Sequence, residues 1–129
     1  AYSPFGFRRL LRICNMLAVI FEFEPVPEHK QAYLDFAAAL RPDLEKIDGF
    51  ISIERFESLT APGRLLSMSF WRDEAAIKSW RNLEAHRAAQ AAGRDGILSG
   101  YRLRVAEVVR DYSMLERAEA PDDSRSVHG

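Results

Sequence analysis

The apolar positions of this chain switch between alternate spacing and helical spacing, and the switches mark out its elements. Met16 to Glu24 (MLAVIFEFE) is rich in strand formers and puts Leu17, Val19, Phe21 and Phe23 on one face. The prolines at Pro25 and Pro27 end that strand, and Pro27 suits the opening of a helix. From Glu28 to Leu40 the period becomes helical, with Tyr33, Phe36, Ala37 and Leu40 on a buried stripe. Pro42 interrupts the pattern and is expected to start a last turn through Leu44. Asp48 and Gly49 signal a turn, and Phe50 to Ser58 (FISIERFES) reads as a strand. Ala61-Pro62-Gly63-Arg64 fits a type II turn, which returns the chain into a hairpin strand over Leu65 to Trp71. Asp73 then suits a helix N-cap, followed by the apolar stripe Ala76, Ile77 and Trp80. Asn82 is expected to cap a second helical piece, Leu83 to Ala92, closed by Gly93. Tyr101 to Tyr112 reads as the last strand, and Ala118 to Gly129 as a polar tail that frays.

The order is β-α-β-β-α-β, which predicts an α+β, ferredoxin-like sandwich: a four-stranded antiparallel sheet with both helices on one face. Phe21, Ile53, Met68 and Val105 belong to strands that are apolar on more than one face. Two helices cover only one side, so the uncovered face is expected to meet a second copy in a homodimer. Three segments follow: an N-terminal extension or partner-packing arm at 1–15, the folded domain at 16–113, and a polar tail at 114–129. Arg8, Arg9 and Arg12 precede an apolar stretch, as in a signal peptide. That stretch, however, runs into Glu22 and Glu24 with strand-like alternation and offers no small-residue cleavage site, so Met16 is the expected domain start.

Composition narrows the function classes. At 129 residues, 47% apolar and 29% charged, the chain is ordinary for one globular domain. A net charge of -1 without a basic block gives no footprint for nucleic acid. Arginine outnumbers lysine 15 to 3, but the arginines are scattered rather than convergent. The single cysteine, Cys14, excludes an intrachain disulfide and a thiolate metal site, and a cytoplasmic setting is expected. No apolar run is long enough to span a bilayer, so no membrane partner is expected. His29, His86 and His128 lie far apart, and neither a phosphate-binding glycine loop nor a nucleophile elbow occurs.

Three stretches carry a family resemblance: GFISIERFES, LSMSFWRDEAAIKSWRNLEAHRAAQAAGR and YRLRVAEVVRDY. Together they resemble the antibiotic biosynthesis monooxygenase (ABM) family of the dimeric α/β barrel superfamily, over roughly Met16 to Ser113. The series Trp80-Arg81, His86-Arg87, Gln90 and Gly93-Arg94 is similar to a subgroup widespread in bacteria. The resemblance implies two chemistries. Some relatives oxidise quinol-like or polyketide phenols with molecular oxygen and no metal or flavin; others bind and degrade haem; still others have no established activity. Haem-degrading relatives use an asparagine on the first strand, a tryptophan on the second helix and a histidine ten residues on. Trp80 matches the tryptophan, but Gln90 stands at the histidine position and Met16 to Glu24 holds no asparagine, which argues against haem. Quinol-oxidising relatives place a tryptophan at the end of the third strand, where Trp71 stands; their preceding asparagine is replaced by the run Ser67, Met68, Ser69, and Arg94 or Arg102 is the available cation.

The expected activity is therefore a cofactor-independent monooxygenase acting on a small aromatic, phenolic or quinol-like compound, with no cofactor and no metal. The alternative is a non-catalytic small-molecule-binding or stress-related protein of the same fold. His86, with an unperturbed pKa of roughly 6.5, is the candidate general base. Arg94 would stabilise a phenolate. Trp71, Trp80 and Phe70 would wall an aromatic substrate, and Gln90 would orient the imidazole or the substrate. Each has a bland rival: the tryptophans as core, His86 as an exposed helix residue, Arg94 as a partner for the helix's last carbonyls. Arg102, Arg104 and Arg110 are expected in salt bridges, for instance with Glu54 or Glu22.

Overall fold

A computed structural model describes residues 15–92, 96 and 98–129, with side chains for all of these but 84–92. Strand β1 (Leu17–Pro25) pairs antiparallel with β3 (Leu65–Trp71) and with β4 (Leu98–Glu107). Strand β2 (Phe50–Glu57) joins β3 at the far edge, giving the order β2-β3-β1-β4. A 3-10 turn at Pro27–His29 leads into helix α1 (Lys30–Glu45), and α2 (Glu74–Ala92) connects β3 to β4. This is the expected ferredoxin-like α+β arrangement, with a short third helix, α3 (Asp122–His128), added at the end.

Register decides what each face carries. Val19 lies opposite Ser69 and Val105, and Phe21 opposite Ser67 and Leu103. Successive strand residues point to opposite faces, so Leu17, Val19, Phe21 and Phe23 share one face with Leu65, Ser67, Ser69 and Trp71. Both helices pack there. Val19, Leu40, Leu44, Ile53, Trp71, Ala76, Ile77 and Trp80 form one buried cluster, and Phe23, Tyr33, Ala37 and Leu65 a second. Phe21, Ile53 and Val105, expected to make the sheet apolar on both sides, thus lie on the helix-bearing face. The other face carries Ala18, Ile20, Leu66, Met68 and Phe70, edged by Glu22, Arg102 and Arg104. Arg104 donates to Glu22 across the sheet, as expected for one of the strand arginines.

Several local expectations correspond to the geometry. Gly63 has φ +92, and Arg64 donates its N–H to the Ala61 carbonyl at 3.0 Å, which is the type II turn with glycine at its third position. Gly49 has φ +98 at the turn into β2. Asp73 caps α2 by accepting the Ala76 N–H at 2.9 Å.

Others differ, each for a physical reason. α1 runs through Pro42 to Glu45 without a break; Leu40 and Leu44, on either side of the proline, are buried in the core, and that packing offsets the cost of the proline. Asn82 does not divide the second helix; α2 is continuous, Asn82 is exposed, and Leu83 continues its buried stripe. β4 begins at Leu98 and ends at Glu107, because β1 offers partners over just that span, with Val108 donating a last bond to the Met16 carbonyl. The final segment is ordered by Arg117, which donates to the Gly129 carbonyl at 2.7 Å and to Ser124 Oγ at 2.8 Å and lies over the Tyr112 ring. Ala120 is buried, and α3 stands where a frayed tail was expected. Gly93 lies outside the described residues.

The turn before β2 is tied to the start of α2 by Arg72, which grips both oxygens of Asp48 at 3.1 Å and Asp73 at 3.0 Å. Its hydrogen bond holds the Asp48 carboxyl below the usual range, and the Ala76 N–H does the same for Asp73. Carboxyls with lowered folded-state pKa values stabilise the fold above the ordinary carboxyl range, roughly pH 4, and lose that contribution as pH falls through the folded value. Asp73→Ala should therefore lower the melting temperature at neutral pH. Its difference from wild type should close as the pH is taken below that range, as followed by circular dichroism.

Candidate functional site

Where α1 crosses the centre of the sheet, a cavity lies between helices and strands. It is lined by Phe21 from β1, Tyr33, Phe36, Ala37, Leu40 and Leu44 from α1, Ile53 and Arg55 from β2, Ser67 from β3 and Trp80 from α2. Its free volume is about 10 Å³, room for one water-sized group. Aromatic contacts build its walls: Phe23 meets Tyr33 at 4.7 Å between ring centroids, Tyr33 meets Phe36 at 6.4 Å, and Phe21 stacks on Phe23 at 4.8 Å.

Two of the residues that line it carry a buried donor without an acceptor among the described residues: Arg55 Nε and Trp80 Nε1. An unmade hydrogen bond at a buried polar atom costs about 1–3 kcal/mol, and native interiors rarely leave one without a cause. Here two belong to residues that line the same small space. By contrast, Trp71 Nε1 donates to Ser69 Oγ at 2.9 Å. Tyr33 and Ser67 also line this space, beside a mostly apolar wall.

The expected site residues fall into three sets. Trp80 lines the cavity. Trp71 is fully buried next to it, with ring centroids 5.5 Å apart, and packs edge-on against Phe50 at 5.2 Å; it supports the cavity without lining it. Phe70 belongs to the opposite face of the sheet, since it neighbours Trp71 on β3 and pairs with Ala18 and Ser52. It is therefore not brought to the site. His86 and Gln90 are backbone positions of α2 whose side chains lie outside the described residues, and so does the whole of Arg94. Arg102 lies on the open face with Glu22.

Arg55 was not singled out by its sequence context, yet it is the charged group of the cavity. The available signal was its spacing: it stands two residues after Ile53 on the same face of β2, and Ile53 is core. A register shift between Phe50 and Ser52 blurs the alternation that would have shown this. Tyr33, read as core, carries the hydroxyl nearest in kind to Ser67's. Among the described residues, no three acidic, histidine or cysteine side chains could hold a metal ion, and no helix is long and apolar enough to cross a membrane.

A four-stranded antiparallel sheet with both long helices on one face and an aromatic cavity beneath them defines a ferredoxin-like α+β domain. The chain belongs to the antibiotic biosynthesis monooxygenase family, whose model matches residues 16–92. It is similar to a protein of Pyricularia oryzae named jasmonate monooxygenase ABM, with 52% identity over 109 residues, covering 83% of this chain and 51% of that one. It is also similar to the uncharacterized protein YqjZ of Bacillus subtilis, with 37% identity over 62 residues, covering 48% of this chain and 53% of that one. The chain thus spans about half the length of the curated relatives it matches. Among solved structures, Rv0793 from Mycobacterium tuberculosis superposes with a TM-score of 0.64 at 23% identity, covering 76% of this chain and 99% of that one. That likeness is one of fold.

Proposed function

We propose that this chain is a monooxygenase that uses molecular oxygen on a small, largely apolar molecule bound between the helices and the sheet. The observation that carries the reading is the helix–sheet cavity, with its aromatic wall and two unsatisfied donors, in a chain of the monooxygenase family. Phenolic and quinol-like compounds suit the chemistry: a phenol takes up oxygen to give a quinone and water, with the substrate supplying every electron. The name of the Pyricularia relative adds a second class, jasmonate-like acids. Hydroxylation at a saturated carbon of such an acid draws two electrons and two protons from an external reductant, so a reductant requirement separates the two classes.

In the phenol case the protein's work is to remove a proton, hold the anion and exclude water. His86 is proposed as the base and Arg94 as a cation near the developing charge, both on the strength of their place in the sequence beyond Trp80. Trp80 walls the site, Trp71 fixes it, and Gln90 orients a neighbour. The open sheet face, with Ile20, Leu66, Met68 and Phe70, is proposed to pair with a second copy. The cytoplasm is the proposed setting, because a single cysteine calls for no oxidising compartment.

The test is oxygen uptake with a panel of quinols, phenols and jasmonate, with and without reductant, using isotopically labelled oxygen and mass detection of product. Wild type should place one labelled atom in the product. His86→Ala should slow the rate by roughly 100-fold or more, the usual contribution of a general base. Equal rates would remove His86 from the mechanism. Stoichiometric binding without uptake anywhere in the panel would favour the non-catalytic alternative.

A further inference from the structure

The two orphaned donors say more than that a ligand binds. Arg55 Nε and Trp80 Nε1 are buried and lack acceptors among the described residues, and both residues line the same cavity. Trp80 as a whole is only 7% exposed. The described ion pairs engage Arg41 and Arg64, on either side of Arg55 in sequence, and none engages Arg55 itself. The rest of the lining is mostly apolar: Phe21, Phe36, Leu40 and Ile53. A water molecule accepting from both donors would need acceptors for its own hydrogens in a mostly apolar lining, whereas half-buried Arg55 brings a full positive charge to the same wall. A carboxylate accepts only, offers one oxygen to each donor, and cancels the charge.

We infer that Arg55 and Trp80 together grip the carboxylate of a small acid whose remaining surface is apolar. This rests on the proposal that the helix–sheet cavity is the substrate site, and it names the substrate class for that site: a monocarboxylic acid with a hydrocarbon body. The free volume of about 10 Å³ takes one water-sized group, so the carboxylate and the body behind it both require the aromatic wall of Phe21, Tyr33 and Phe36 to move outward. Arg55 anchors the acid by charge; Trp80 selects its orientation by a single directional N–H. Both are binding residues, and neither is assigned a chemical step.

The experiment is titration of the whole chain, under argon, with cyclopentylacetate and separately with its methyl ester. Affinity is read by calorimetry, and the two indole N–H signals by nitrogen-labelled NMR. The acid should bind at least about tenfold more tightly than the ester, as a charge-assisted hydrogen bond implies. It should move the Trp80 indole signal downfield and leave that of Trp71, already bonded to Ser69, nearly in place. Arg55→Met should erase the preference for the acid while ester binding persists, Arg55→Lys should restore part of it, and Trp80→Phe should weaken acid binding more than ester binding. Equal affinity for acid and ester in wild type, or a Trp80 signal unmoved at saturation, would overturn the inference and leave the donors to a buried water. The wild-type comparison stands even if a variant fails to fold. Because no oxygen is present, acid-selective binding with no later oxygenation sinks the monooxygenase reading alone, and oxygenation of neutral compounds with no acid preference sinks this inference alone.

Discussion

Replacing Trp71 with alanine is expected to destabilise the fold by about 3–5 kcal/mol, the usual cost of truncating a buried tryptophan. Few sites in the chain combine so many supports. Trp71 is fully buried, its indole N–H is bonded to Ser69, and its ring meets both Phe50 and Trp80. Truncation removes the junction between β2, β3 and α2 and leaves the Ser69 hydroxyl without its donor. A domain of this size has a total stability of roughly 5–15 kcal/mol, so the variant should sit close to the unfolding threshold. Urea denaturation should show a large fall in midpoint with an unchanged slope. Trp71→Phe should recover much of the packing while still losing the Ser69 bond. A midpoint for Trp71→Ala near that of wild type would mean that this junction is not the keystone of the core.

The second large effect concerns the open face of the sheet. Met68 lies near its centre, paired with Ile20 on one side and Glu54 on the other. If a second copy covers this face, Met68→Glu forces two carboxylates into an interface without partners, a cost of several kcal/mol. Light scattering should then give twice 14.7 kDa for wild type and 14.7 kDa for the variant. Val127→Glu, a charge placed on a residue already exposed on α3, should leave the mass unchanged. A wild-type mass of one chain at micromolar concentration would remove the dimer from the account.

How much of this was legible in the sequence depends on which force fixed each feature. Local chemistry was readable where it acts alone. Pro62-Gly63 specifies its turn, Asp73 its cap, and the alternation from Leu65 to Trp71 its strand and inward face. Features set by pairing were not. β4 stops where β1 has no more residues to offer, and nothing in the run from Val108 to Tyr112 announces that limit. The Asn82 signal did not act: α2 is continuous there, with Leu83 partly buried against the core. Arg117 orders the last residues through contacts with Ser113, Ser124 and Gly129 that a polar composition conceals.

The site was half legible for the same reasons. Trp80 and Trp71 stood out because large aromatics at helical and strand spacing must be buried somewhere. Phe70 is an aromatic next to Trp71 in sequence, but a strand sends neighbours to opposite faces. Arg55 escaped notice because an arginine in a strand is ordinarily a solvated residue, and only the tertiary packing of α1 over β2 turns its Nε inward.

The central claim is that the substrate binds under the helices rather than on the open sheet face. The latter carries its own groove, of about 380 Å³, lined by Ile20, Phe56, Leu66 and Arg64 among others. A crystal structure of the chain with whichever compound supports oxygen uptake decides between them. Ligand density is expected between Tyr33, Phe36 and Trp80, with a ligand oxygen within hydrogen-bond distance of Arg55 Nε and Trp80 Nε1. Density confined to the groove beside Ile20 and Phe56, with the helix–sheet cavity still closed, would contradict it.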